Sequence, residues 1–276
     1  MNSKLYLNIA CYYFFKHTAS LSELQTQLTE KCKKWGILGT ILLASEGINV
    51  FLCGTEKSIR EVQILLRGIC NNPDLVFKES WSDAIPFKHL KVKIKKQIIA
   101  FSDTTIQPSA YRSPTISPSD LKQWFEEEKS FTLLDTRNQY EVELGTFKKA
   151  HHLKIRNFLS YEAEVSKLPQ SIKENPVVVF CTGGIRCEKA APLMEKLGFK
   201  NVFQLEGGIL NYFEKVGGAH YQGDCFVFDD RVTITPNLEE SETIFCACCG
   251  ESVSREARKH PDFRFGKSCP KCSTGR

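Results

Sequence analysis

At 276 residues, set against about 150 residues per domain, the chain has room for two domains, and its 42% apolar and 25% charged content excludes a wholly disordered, collagenous or membrane-embedded polypeptide. Lys and Arg total 37 against 32 Asp and Glu, and the net charge of +5 permits an anionic partner without demanding one. Twelve cysteines fall as scattered single residues, a pair around a glycine-rich loop and a crowd near the C-terminus, which suggests reactive thiols and metal in place of disulfides.

The first apolar run, Leu5 to Phe15, is too short to span a bilayer and is rich in Tyr and Phe, so it reads as a buried strand (Leu5 to Phe14) in preference to a signal peptide. No later segment reaches the roughly 18 apolar residues of a membrane helix, and the expectation is a cytoplasmic protein with no membrane partner. A helix follows from Leu21 to Trp35, with Leu21, Leu24, Leu28 and Cys32 at helical spacing and Ser20 as its N-cap. Strands Ile37 to Ala44 and Ile48 to Cys53 form a hairpin around Ser45-Glu46-Gly47, where the glycine supplies turn geometry. A second helix from Lys57 to Cys70 carries Ile59, Val62, Leu65, Leu66 and Ile69 on one face, and Leu75 to Glu79 returns as a strand. The order βαββαβ predicts a ferredoxin-like N-terminal domain over residues 1–101.

Beyond it, Lys91, Lys93 and Lys95 alternate with Val92 and Ile94, so a strand here would face its valine and isoleucine inward and show a row of lysines. Two readings stay open: an edge strand protected by its charges, or a surface that tracks RNA phosphates. Residues 102–118, rich in Ser, Thr and Pro, read as a linker. Strands and helices then alternate through residues 119–220: helix Leu121 to Glu128, strand Phe131 to Asp135, a helical stretch near Tyr140 to Leu144, strand Val177 to Cys181, helix Glu188 to Leu197 and strand Val202 to Leu205. This pattern predicts an α/β domain with a mainly parallel sheet and a ligand site beyond the carboxyl ends of its strands. A C-terminal extension covers residues 221–276.

The strand Val177 to Phe180 delivers Cys181 into Thr182-Gly183-Gly184-Ile185-Arg186 at the start of a helix. Backbone N–H groups and a helix dipole favour an anion there, and Arg186 adds a positive charge, so the thiol is poised as a thiolate nucleophile. Only four residues separate Cys181 from Arg186, a cradle too tight for phosphate and better suited to a sulfane sulfur or another small adduct. Cys187 is either a resolving thiol or a residue facing the helix interior. A purely structural Cys181 would not require the small, flexible Thr182, Gly183 and Gly184 beside it.

Through Asp135-Thr136-Arg137, Tyr140-Glu141, Gly145-Thr146-Phe147, the 181–186 loop and Leu205-Glu206-Gly207-Gly208, the chain resembles the rhodanese superfamily. With Ala44 to Asn49, the run 181–190 and Gly223 to Val232, it resembles more closely the bacterial rhodanese-domain tRNA uridine hydroxylases along nearly its whole length. That resemblance implies a rhodanese-like catalytic domain, conversion of the wobble uridine to 5-hydroxyuridine, Cys181 as the catalytic, persulfide-type cysteine, and Asp135, Arg137 and Cys187 as supporting residues. It implies tRNA, held at its anticodon arm, as the partner and molecular oxygen as co-substrate. No flavin or nicotinamide motif is evident. The runner-up activity is a rhodanese-type sulfurtransferase carrying a persulfide on Cys181, served by a sulfur-donor protein; a third reading is an inert binding module. Lys149 and Pro192 depart from the family pattern, and His151 and His152 read as solvated loop residues more readily than as catalytic bases.

In the tail, Cys246-x-x-Cys249 and Cys269-x-x-Cys272 are 19 residues apart, the spacing of a four-cysteine zinc ribbon. Cys248 is left over. The competing reading is two reduced pairs in a disordered tail, while Arg255, Arg258, Lys259, Arg264 and Lys267 give the segment a basic character suited to RNA.

Overall fold

Alternating apolar residues make Tyr6–Phe14 the first strand, β1, of a computed structural model that describes residues 6–16 and 20–273; the expected strand start at Leu5 lies outside the described residues. The chain divides into two units, residues 1–112 and 113–276. In the first, β1 is followed by α1 (Leu21–Lys34), β2 (Leu38–Ala44), β3 (Gly47–Gly54), α2 (Glu56–Ile69), β4 (Lys78–Ser82) and β5 (Leu90–Ile94). The sheet order is β4-β1-β3-β2-β5. Its first four strands have the ferredoxin-like arrangement, and β5 adds a fifth, parallel to β2. Leu24 and Leu28 of α1 and Val62 and Leu66 of α2 pack with Ile9, Ile41, Val50 and Leu52 of the sheet into one buried cluster.

Three local readings change. Gly47 does not form the hairpin turn: it opens β3, and a Cβ there would lie 2.1 Å from the Tyr13 carbonyl, so glycine is needed for the close approach of β1. The strand expected at Leu75 begins three residues later at Lys78, because Leu75 is an anchor in the core while β4 is polar apart from Trp81 and none of its residues is buried. On β5, Leu90 and Val92 pack on the core and Lys91, Lys93 and Lys95 are exposed, but Ile94 is 41% exposed instead of facing inward, since the strand ends there.

The second unit comprises β6 (Thr115–Ile116), α3 (Pro118–Glu126), β7 (Thr132–Asp135), α4 (Gln139–Val142), β8 (Gly145–Phe147), β9 (His151–His152), α5 (Tyr161–Val165), α6 (Gln170–Glu174), β10 (Pro176–Phe180), α7 (Cys187–Lys196), β11 (Asn201–Leu205) and α8 (Gly208–Val216). Five strands form a parallel sheet in the order β6-β11-β10-β7-β9. The unit begins inside the 102–118 stretch: Thr115 and Ile116 already pair with β11. Ser117 caps α3 by accepting from the Asp120 N–H at 3.1 Å, with Pro118 in the first turn where its missing N–H costs nothing. Pro192 does not end α7, which runs unbroken through it. Lys149 adopts φ +62, a conformation in which a glycine would be at ease. His151 and His152 are both exposed.

The segment after residue 220 is part of the same body. β12 (Tyr221–Gly223) pairs with β8, and Tyr221, Cys225, Val227 and Ile234 are buried with Phe147, Phe180 and Tyr212. After β13 (Cys225–Phe226) and β14 (Thr233–Ile234), the hairpin β15 (Thr243–Phe245) and β16 (Ser252–Ser254) and the short α9 (Pro270–Ser273) complete the chain. Ile244, Cys246, Val253 and Cys269 share a buried cluster with Phe226 and Val232, against which Tyr140 and Leu144 pack. No helix among the described residues is long and apolar enough to cross a membrane.

Candidate active site

Strand β10 is buried from Val177 onward, and its last residue, Phe180, pairs with Asp135 at the end of β7. The chain therefore leaves the sheet at Cys181 with no lateral freedom. The loop then curls over the cysteine sulfur: the Gly184 N–H donates to Cys181 Sγ at 3.0 Å, and the Arg186 backbone N–H is a second donor to it. Cys181 is fully buried. Burial pushes its thiol up, yet a hydrogen bond from the Cys187 thiol, the Arg186 charge and the two backbone donors outweigh this and hold it well below the ordinary thiol value. Cys225 in the same unit is the comparison: there burial outweighs the Arg137 charge and a single hydrogen bond from Thr182 and pushes the thiol up to about 12.

Two glycines and a neighbouring helix fix the loop. The first N–H groups of α8 have no helical partner, and Gly207, its N-cap, has no side chain to offer them. The loop supplies the acceptors: the Cys181 carbonyl takes the Ile209 N–H at 3.0 Å and the Thr182 carbonyl takes that of Leu210 at 3.1 Å. Gly208 has φ +68, and a Cβ there would lie 2.4 Å from the Cys181 carbonyl, so this contact requires glycine.

Arg186 does not lend its charge to the cradle alone. Its guanidinium donates to both Glu141 carboxylate oxygens, at 2.6 and 2.8 Å, with both side chains almost wholly buried. Glu141, absent from the expected site residues, is itself held by α4: the Asn138 N–H donates to its Oε2 at 3.1 Å. The signal for it was the Glu at the third position of a helix that starts after Asn138, but nothing in the sequence pairs it with an arginine 45 residues on. Asp135 and Arg137 form a second buried pair, with contacts from Nε at 2.9 and 3.1 Å and from Nη2 at 2.7 Å. Arg137 also donates to the Gly145 carbonyl, and Thr146 donates to Asp135. That pair ties β7 to β8 and does not touch the sulfur.

The extension closes the far side of the loop. Thr182 Oγ1 donates to the Phe226 carbonyl at 3.4 Å, and the Phe228 ring, 50% exposed, lies 5.9 Å from the Arg186 guanidinium. The turn carrying Phe228 is pinned by Arg231 against Asp229 and from the tail by Arg258, which donates to the Arg231 carbonyl at 2.7 Å. Further along, the sulfurs of Cys246, Cys249, Cys269 and Cys272 lie within 4.8 Å of one another, with separations of 4.0, 3.6 and 3.7 Å between three of the pairs. Four thiolates about 2.3 Å from a central zinc stand about 3.8 Å apart, so the cluster can hold a metal ion. Cys248 is exposed and outside it. Lys91, Lys93 and Lys95 belong to the first unit.

Removing one member of the buried Arg186–Glu141 pair leaves the other charged and unpaired, so Glu141→Ala should cost about 3–5 kcal/mol of stability. The double variant Glu141→Ala, Arg186→Ala should cost clearly less than the sum of the single changes. Denaturant unfolding of the four proteins checks this; additive costs would remove the pair as the brace of the loop.

Residues 117–215 match the family described as Rhodanese-like domain, and residues 6–98 match the UPF0176 acylphosphatase like domain. A curated protein of Cupriavidus metallidurans named tRNA uridine(34) hydroxylase is 44% identical over 271 residues, 96% of each chain. One of the same name from Burkholderia cenocepacia is 41% identical over 279 residues, 97% of each chain. Among solved structures, the solution structure of a rhodanese-like domain from Anabaena sp. is 24% identical, covering 40% of this chain and 80% of that one, with a TM-score of 0.34. With 41–44% identity over 96–97% of its length, the chain belongs to the tRNA uridine(34) hydroxylase family.

Proposed function

We propose that this protein hydroxylates the wobble uridine of tRNA at C5 of the uracil, with Cys181 as the nucleophile and molecular oxygen as co-substrate. The observation that carries the reading is the buried sulfur of Cys181, on which hydrogen-bond donors converge so that its thiol is held well below the ordinary value, in a chain that aligns over 96% of its length with a curated tRNA uridine(34) hydroxylase. A thiolate pair donated to C6 of uracil forms a C–S bond and moves the ring double-bond electrons toward the C4 carbonyl. C5 becomes electron-rich and is the position at which oxygen enters. No protein base has to remove a proton from Cys181 first, which fits the exposed positions of His151 and His152.

Because Cys181 is fully buried, the base approaches across Gly183 and Ile185, the partly exposed members of the loop. An extruded pyrimidine needs a surface to replace its lost stacking, and the half-exposed Phe228 ring beside Arg186 offers an aromatic face, a contact worth about 1–3 kcal/mol per base. The four tail cysteines hold zinc, whose binding stabilises the fold of the tail; through Arg258 that fold holds the turn of Phe228. Lys91, Lys93 and Lys95 contact phosphates of the tRNA, and the reaction takes place in the cytoplasm.

Cys181→Ser keeps the shape of the site and loses the thiolate. Nucleoside mass analysis of tRNA from cells carrying it should show loss of 5-hydroxyuridine with unmodified uridine in its place; normal levels would overturn the assignment. Metal analysis of protein purified without chelator should find about one zinc per chain, sharply lowered by Cys269→Ala and unchanged by Cys248→Ala. Equal loss in both would exclude the four-cysteine site. Replacing Lys91, Lys93 and Lys95 by Gln should weaken tRNA binding and flatten its log–log salt dependence by up to about two, at roughly 0.7 per single-strand phosphate contact. Unchanged affinity and slope would leave the row as protection of an edge strand.

A further inference from the structure

We infer that Cys187 is a second catalytic residue, which supplies the two electrons that oxygenation consumes by forming a disulfide with Cys181 at the end of each turnover. The inference rests on the hydroxylase reading and adds to it the source of reducing power.

Chemical balance poses the question. When one atom of dioxygen enters a C–H bond, the other must be reduced to water, at the cost of two electrons and two protons. The structure puts a second thiol where it can provide them. Cys187 opens α7 and is fully buried, and its thiol hydrogen-bonds the Cys181 sulfur. The loop between them is folded to bring them together: the Cys187 N–H donates to the Gly184 carbonyl at 3.0 Å, while the Gly184 N–H donates to Cys181 Sγ at 3.0 Å. On its other side Cys187 Sγ lies 4.0 Å from the Thr136 hydroxyl. Cys225, the next buried thiol of this unit, is turned to the Phe226 carbonyl at 3.6 Å.

The steps close as follows. The Cys181 thiolate adds to C6, and the electron-rich C5 takes up dioxygen and a proton to become a C5 hydroperoxide. Loss of the C5 hydrogen with cleavage of the O–O bond releases water and leaves a carbonyl at C5. Cys187, as thiolate, then attacks the Cys181 sulfur: an S–S bond forms, the C6–S bond breaks, and its electron pair restores the C5–C6 double bond while the C5 oxygen takes a proton. In sum, uridine, dioxygen and two thiols give 5-hydroxyuridine, water and a disulfide. An external thiol reduces the disulfide by exchange.

The electrostatics time this sequence. In the resting site Cys187 is held protonated by burial, and then by its hydrogen bond to the Cys181 thiolate and the repulsion of that charge, while Thr136 and Arg186 act the other way. Once the Cys181 sulfur is bonded to carbon, its charge is gone. Two of the three effects that keep the proton on Cys187 then vanish, and Arg186 and Thr136 remain to favour the thiolate.

The test uses pre-reduced full-length enzyme, freed of added thiol, mixed with unmodified tRNA transcript in air-saturated buffer. We expect a single 5-hydroxyuridine per enzyme molecule, then arrest, with a Cys181–Cys187 disulfide found by peptide mass mapping and turnover restored by dithiothreitol. Cys187→Ser and Cys187→Ala should lower product in thiol-free buffer by about a hundredfold and accumulate tRNA bonded to protein at Cys181, an adduct that a merely structural defect would not produce. Repeated turnover with both thiols still reduced, or wild-type product from Cys187→Ala, would overturn the inference; because the mapping needs only wild-type enzyme, a poorly folded variant does not shield it. Wild-type enzyme that leaves uridine unchanged even with dithiothreitol present overturns the hydroxylase reading itself, and the inference with it.

Discussion

Keeping a negatively charged sulfur out of water is the constraint on which the second unit is built. Burial alone would make Cys181 as unreactive as Cys225 or Cys32, whose thiols it pushes up to about 12. The opposite outcome at Cys181 depends on donors that converge on one atom, and convergence requires a loop that cannot relax. Each neighbouring element contributes to that rigidity. The parallel strands fix where the loop begins, α8 takes up its carbonyls, Gly208 leaves room for that approach, and Arg186 is clamped by Glu141. Arg186 therefore acts chiefly by holding the backbone in place and setting the local field, with its own hydrogen bonds committed to a carboxylate.

The segment after residue 220 belongs to this arrangement as well. It supplies the carbonyl that receives Thr182, the aromatic ring beside Arg186 and, through Arg258, a link from the cysteine cluster to that ring's turn. Val232, a β-branched residue in this turn, sits at φ +65, an unfavourable conformation that the Asp229–Arg231 pair and the Val227 N–H to Val232 carbonyl bond at 2.9 Å hold in place. A tail able to bind metal thus reaches the active-site loop through ordinary hydrogen bonds.

Much of this was legible in the sequence because local chemistry dictated it. Hydrophobic periodicity marks α1, α2 and β10, the Ser117-Pro118 pair marks the start of α3 in retrospect, and a cysteine between a buried strand and two glycines can hardly be anything but a cradle. The cysteine spacing in the tail likewise encodes a cluster that the folded chain forms. What remained illegible is non-local. Glu141 lies in a four-residue helix, and its partner is set only by the packing of α4 against the loop. Polar β4 is defined by its pairing with β1, not by any pattern of its own. Tyr221 and Cys225, beyond a boundary at residue 220, are core residues, and the two strands that carry them, of three and two residues, have no periodic signal.

The chemistry of the site depends on the charge state of one sulfur. Ultraviolet absorbance of the thiolate, taken as the difference between wild type and Cys181→Ser and followed as the pH is lowered, measures it directly. The thiolate form exists above its pKa, so a lowered value predicts that the Cys181 band persists unchanged as the pH falls through about 8.5, the ordinary thiol value, and disappears only well below it. A band that fades at or above that value would mean that burial prevails over the loop's donors, and the cradle would then not be the source of the chemistry.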